Sequence, residues 1–98
     1  MTIEKQTVKE GNLTLNITGR LDTITAPELE KESQNLNGIN ELVLDFEKLE
    51  YISSAGLRVL LLLSKIMKKQ GTMKIKNVNE MINEVFTITG FSNILDIE

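Results

Sequence analysis

The chain has 98 residues, a formal net charge of −3 at pH 7, no cysteine and no histidine. Disulfides, thiol chemistry and cysteine metal sites are therefore excluded, and the commonest general base and zinc ligand are missing. The acidic balance, with one tyrosine, three phenylalanines and no tryptophan, is the wrong sign for a nucleic-acid binder and leaves little surface for stacking bases.

Length and a 41% hydrophobic content fit one globular domain over residues 1–98. The longest apolar run, Val59–Leu63, is far too short to span a bilayer. Met1–Lys5 lacks the basic-then-apolar layout of a signal segment. The expectation is a cytoplasmic domain without membrane insertion.

In chain order, residues 2–9 carry Ile3 and Val8 among polar neighbours and read as an edge strand. Glu10-Gly11-Asn12 is a turn cluster, and Leu13–Gly19 then alternates apolar and polar residues. This predicts a hairpin whose second strand buries Leu13, Leu15 and Ile17. Thr25-Ala26-Pro27-Glu28 has the layout of a capping box with a first-turn proline, which predicts one helix over about 26–37 ending near Gly38. Its inner face would carry Leu29, Ser33 and Leu36.

Glu41–Phe46 is a short apolar strand, and Lys48 to Ile52 read as a connection. Ser54–Lys69 is leucine-rich. The run Val59–Leu63 suits a strand by itself, but the length of the segment, its basic end and Gly71 select a helix. Met73–Val78 alternates as a strand. Asn79 caps a predicted helix over 80–88 with Met81, Ile82, Val85 and Phe86 inward, and Thr89-Gly90 ends it. Residues 94–97 close as a last strand. Strands alternating with helices imply parallel neighbours and right-handed crossovers, and the opening hairpin adds an antiparallel edge.

Charge is uneven along the chain. Residues 51–79 carry Arg58, Lys65, Lys68, Lys69, Lys74 and Lys76 with no acid, between two acid-rich flanks. A solvated face complementing helix dipoles accounts for this, and a two-sided docking surface is the sharper alternative.

No catalytic arrangement emerges. Ser64 and Lys65 are adjacent on a helix and do not face each other. The carboxylates have no metal-like spacing, and the glycines match no phosphate-cradling pattern, so neither metal nor cofactor is expected. The segment that stands out is Tyr51-Ile52-Ser53-Ser54-Ala55-Gly56-Leu57-Arg58, where a strand or loop gives way to the most apolar helix. Ser53 or Ser54 serves as the cap, and Ala55 and Gly56 allow tight packing. A hydroxyl at a helix start also suits phosphorylation, because the added negative charge meets the positive end of the dipole. The fold tolerates it, while a partner packed on that loop does not.

Gly19-Arg20-Leu21-Asp22 with Thr25-Ala26 and Leu29, Leu42-Val43-Leu44-Asp45, Ile52-Ser53-Ser54-Ala55-Gly56-Leu57 and Thr89-Gly90-Phe91 together resemble the STAS-domain anti-sigma factor antagonists (anti-anti-sigma factors) of bacteria. The resemblance implies an α/β fold with a mixed four- to five-stranded sheet, an N-terminal antiparallel hairpin and about three helices mainly on one face. It also implies a cycle. The unphosphorylated protein binds an anti-sigma factor serine kinase and frees a sigma factor. The kinase then phosphorylates a loop serine with its ATP, and a PP2C-type phosphatase resets the switch. By position the acceptor is Ser54. The aspartate that commonly precedes it in that family is Ser53 here, which makes Ser53 the alternative acceptor. Asp22, Thr23, Ser53, Ala55, Gly56 and Arg58 fall on the implied partner-binding face. The same fold also serves as a small assembly subunit of lipid-transport ABC complexes, which is the alternative role.

Overall fold

Alternation along the second strand sets the frame. The computed structural model describes residues 1–7 and 9–98. Within it, β1 (Thr2–Gln6) and β2 (Asn12–Leu21) form the expected antiparallel pair. Val8, part of the predicted first strand, lies outside the described residues. Leu13, Leu15 and Ile17 are buried while Thr14, Asn16 and Thr18 between them are half-buried, so the side chains follow the pleat.

β2 is 10 residues long and serves two neighbours in succession. Its first half pairs in parallel with β3 (Glu41–Asp45), and its end pairs in parallel with β4 (Leu49–Ile52). The hand-over falls at Gly19, with φ +99°, where the register shifts before Arg20. A positive φ of this kind is cheap only for glycine. The Gly19 N–H donates to the Lys48 carbonyl at 3.0 Å, which secures the start of the new pairing.

β5 (Thr72–Lys76) and the two-residue β6 (Asp96–Ile97) continue the sheet in parallel beyond β3. The order is β1-β2-β3-β5-β6, with β4 beside the far end of β2. The sheet is mixed as expected, and it gains β4 where patterning predicts only a connection.

Among the described residues the α-helices are α1 (Ala26–Glu30), α2 (Ser54–Lys68) and α3 (Glu80–Thr89). Leu29, Leu60, Leu63, Met67, Ile82 and Phe86 meet Leu15, Ile17, Leu42, Leu44 and Ile75 in one core. The helices therefore cover the face to which these strand residues point. The other face carries Thr14, Asn16, Asp45, Lys74 and Lys76 around the buried Val43. Each fully buried aliphatic or aromatic side chain contributes roughly 1.5–3 kcal/mol.

Several local expectations give way to tertiary demands. The predicted helix over 26–37 is α-helical only to Glu30 and tightens into a 3₁₀ segment over Lys31–Asn35. Glu32 is tied to Lys5 at 2.7 Å there. Just beyond the segment, the carbonyls of Leu36 and Ile39 accept from the Gln70 amide. Leu29 and Leu36 still reach the core. Met81, expected inward, is 55% exposed, and the inner face of α3 consists of Ile82 and Phe86 with Val85 half-buried. Gly71 is not a left-handed stop. Its backbone runs so close to Asn40 that a Cβ would overlap the Asn40 carbonyl, and the Thr72 N–H donates to that same carbonyl at 2.9 Å. The predicted caps at Asn79 and Gly90 both form: Asn79 Oδ1 accepts from the Ile82 N–H at 2.8 Å, and Gly90 takes φ +82°.

Candidate functional site: the face at the ends of β2 and β4

Parallel neighbours finish at the same edge of a sheet, and the loops leaving them are then neighbours as well. Leu21 and Ile52 are register partners at the ends of β2 and β4. The next residues, Asp22 and Ser53, thus start side by side, and the Ser53 N–H donates to the Leu21 carbonyl at 2.9 Å. This pairing brings the Asp22–Thr25 loop against the start of α2. The partners Arg20 and Tyr51, one step back, stack their side chains, with the guanidinium carbon 4.2 Å from the ring centroid. An exposed cation–π contact of this kind is worth about 0.5–1 kcal/mol.

The Asp22 loop is clasped by its own polar groups. Asp22 Oδ1 accepts from the backbone N–H of Ile24 at 3.0 Å and of Thr25 at 3.1 Å. The Thr25 hydroxyl accepts from the Asp22 N–H at 2.9 Å and donates to the Arg20 carbonyl at 2.7 Å, with Asp22 Oδ1 at 3.1 Å as its alternative acceptor. The predicted capping box does not form. Thr25 sits at the N-cap of α1 without a side-chain cap bond, because its hydroxyl is turned back into this clasp.

The remaining oxygen, Asp22 Oδ2, is 3.6 Å from Arg20 Nε and, among the described residues, has no closer cation. The Thr25 N–H, then the Thr25 hydroxyl, the Ile24 N–H and the nearby Arg20 charge, hold the Asp22 carboxyl below its ordinary range against an opposing desolvation. Asp22 is thereby kept ionised, with one oxygen saturated by the loop and the other turned toward Arg20. Thr23 and Ile24 protrude from the clasp, and Ile24 is 86% exposed.

At the start of α2 the two serines separate by role. Ser53 has an extended backbone and is the N-cap; its hydroxyl accepts from the Gly56 N–H at 3.4 Å. Ser54 is the first helical residue and is exposed, and among the described residues its hydroxyl has no hydrogen-bond partner. Gly56 is buried under the strand ends. A Cβ there would lie 2.8 Å from Leu21 Cγ, 2.9 Å from Ile52 Cγ1 and 2.9 Å from the Leu21 carbonyl oxygen. The glycine therefore lets α2 seat directly on the ends of β2 and β4. Arg58 is exposed one turn beyond Ser54.

A groove of about 200 Å³ runs between α1 and α2, with Thr23, Ala26, Ala55, Arg58 and Leu62 in its lining. The residues singled out from sequence thus converge at one end of the molecule: Asp22 and Thr23 from one loop, Ser53 to Gly56 and Arg58 from the other. Gly56 alone is buried there and acts through packing rather than contact. Sequence patterning gives no role to Arg20, Tyr51 or Ile24. The signal for the first two is the register of a strand it did not predict, and for Ile24 an isolated apolar residue between polar neighbours. Among the described residues no group of three or more acidic side chains is placed to hold a metal ion. Among the described residues no helix is long and apolar enough to cross a membrane.

Comparison with known proteins agrees with this geometry. The family model described as the STAS domain matches residues 4–98. A Bordetella bronchiseptica protein designated an anti-sigma factor antagonist, BtrV, is 37% identical over 91 residues, covering 90% of this chain and 78% of that protein. The anti-sigma-B factor antagonist of Bacillus subtilis is 33% identical over 90 residues, covering 90% of this chain and 83% of that protein.

Among solved structures, a Thermotoga maritima protein assigned as an anti-sigma factor antagonist superposes with a TM-score of 0.89 at 21% identity, over 97% of this chain and 84% of that one. The Bacillus cell-fate determinant SpoIIAA in its phosphorylated form superposes with a TM-score of 0.77 at 15% identity, over 99% of this chain and 91% of that one. SpoIIAA is also solved unphosphorylated, with the same TM-score. The chain belongs to the STAS domain family, and within it to the anti-sigma factor antagonists.

Proposed function

We propose that this protein is a cytoplasmic, phosphorylation-switched binding domain without catalysis of its own. Its unmodified form docks an anti-sigma factor serine kinase through the Asp22–Ile24 loop and the start of α2, and so frees a sigma factor. The kinase then transfers the terminal phosphoryl group of its own ATP to Ser54 Oγ, the hydroxyl proton leaves to a base on the kinase, and ADP departs. Docking is lost because a charge of about −1.5 to −2 now stands in the interface, and a PP2C-type phosphatase hydrolyses the ester to restore the hydroxyl. Asp22 Oδ2 is suited to a cationic side chain of the partner.

The observation that carries this reading is the division of labour between the serines. Ser53 holds the helix cap, whereas Ser54 is exposed beside the clasped Asp22 loop. Ser54 is therefore the acceptor in preference to Ser53. Two relatives above 30% identity that are named for anti-sigma factor antagonism support this role over that of a lipid-transport assembly subunit.

The test is a binding series with the cognate anti-sigma factor, alongside peptide masses over Tyr51–Arg58 from the native host. Ser54→Ala should bind constitutively and resist phosphorylation, and Ser54→Asp should bind at least tenfold more weakly. Equal affinity of both variants, or a phosphate found only on Ser53, would overturn the assignment.

A further inference from the structure

The exposed side of α2 begins with Ser54 and continues through Arg58, Leu62 and Lys65 toward the C-cap Lys69, and no acid occurs between Ser54 and Lys68. Among the described residues no carboxylate lies within ion-pair distance of Arg58; the pairs that form are Lys5–Glu32, Arg20–Asp22 and Lys74–Glu98. Arg58 is thus an exposed cation held on a regular helix, four residues after a free hydroxyl. Residues at this spacing are neighbours about 5–6 Å apart at Cβ, and the order with the acid on the N-terminal side is the favourable one. A guanidinium presents two parallel N–H donors that match two phosphate oxygens. Ser53 has a different relation to Arg58. It is five residues away and lies outside the helix with φ −101° and ψ 175°, so its side chain is committed to the cap.

From this geometry, and resting on the reading of Ser54 as acceptor, we infer that Arg58 is the internal receiver of the phosphate on Ser54. Modification then changes the docking face twice. It adds negative charge at Ser54, and it withdraws the cation at Arg58 from any partner by pairing it within the same helix. The two effects are a single event, because the fork reaches the phosphate without movement of the backbone.

The test uses the full chain carrying phosphoserine introduced site-specifically at residue 54, with Arg58 as arginine, as Arg58→Gln and as Arg58→Lys. The reading is the midpoint of the second phosphate ionisation, followed by ³¹P chemical shift between pH 4 and 8. Pairing with Arg58 favours the dianion. The midpoint should therefore lie below the usual value near ~6 and rise by about 0.3 pH unit in Arg58→Gln. Arg58→Lys should keep most of the shift, and about 1 M salt should erase the difference between variants. An identical midpoint with arginine and glutamine would overturn the inference, as would an equal Arg58 dependence when phosphoserine is placed at 53. No partner protein enters this measurement, so its outcome is independent of the binding series that tests Ser54 as the switch.

Discussion

Replacement of Gly56 by alanine tests whether the two loops of the proposed docking face are held together by close packing of α2 on the strand ends. Gly56 lies in the first turn of a regular helix, where alanine by propensity alone gains about 1 kcal/mol. The structure predicts the opposite sign. The new Cβ would stand 2.8–2.9 Å from Leu21 Cγ, Ile52 Cγ1 and the Leu21 carbonyl oxygen. Two of these contacts are side chains that are 0% and 5% exposed, with little room to rotate, and the third is backbone.

Overpacking of this kind costs about 1–3 kcal/mol, and the backbone contact places Gly56→Ala toward the upper end. After the propensity gain, the net loss is about 1–2 kcal/mol, or roughly 5–15 °C in melting temperature for a domain of this size. Relaxation requires α2 to lift from the ends of β2 and β4, which also separates Ser54 from the Asp22 loop. Affinity for the anti-sigma factor should therefore fall more than the folded fraction does. Urea unfolding and calorimetric titration at a temperature where the variant is fully folded measure the two effects separately. A variant as stable as the parent, or more stable, with unchanged affinity would refute the packing argument.

Three further outcomes follow from the geometry. Ser53→Ala removes the cap bond to the Gly56 N–H and should cost about 0.5–1 kcal/mol in urea unfolding, whereas Ser54→Ala should stay within about 0.5 kcal/mol of the parent; equal costs would contradict the assignment of the cap. Gly71→Ala should be the more damaging glycine change, at about 3 kcal/mol or more, because the added methyl meets the Asn40 backbone and the Thr72 N–H bond to it must break; a mild effect in thermal unfolding would show that the β3 and β5 ends separate easily. Asp22 is held below its ordinary value in the fold, so its contribution is present above the unfolded value near ~3.9 and is lost as pH falls through the lower folded value. Asp22→Asn should accordingly flatten the acid limb of stability below about pH 4 in urea midpoints, and an unaltered acid slope would show that the carboxylate is not engaged in the loop.

How much of this was legible in the residues depends on how local each cause is. The Leu13–Ile17 alternation, the Asn79 cap, the Gly90 stop and the leucine stripe of α2 all act within a turn or a pleat of themselves. One chain segment therefore suffices to read them. The hydroxyl-and-glycine segment from Ser53 to Gly56 was equally plain as a helix start, but its spacing left open which serine makes the cap.

Only the tertiary structure assigned that cap to Ser53 and left Ser54 exposed. It also converted Leu49–Ile52 from a connection into β4. Four residues with apolar ends carry no strand period of their own, and their stability comes from pairing with Gly19–Leu21, some thirty residues earlier in the chain. The Thr25 hydroxyl is drawn from its capping box by Asp22 and the Arg20 carbonyl, three and five residues earlier. In the same way Gly71 answers to Asn40 rather than to the end of its own helix. Local free energies thus chose the helices, the hairpin and a helix start fit to carry a phosphate. The contact between that helix start and the Asp22 loop, on which the proposed docking face depends, is a product of parallel strand order, which no single segment encodes.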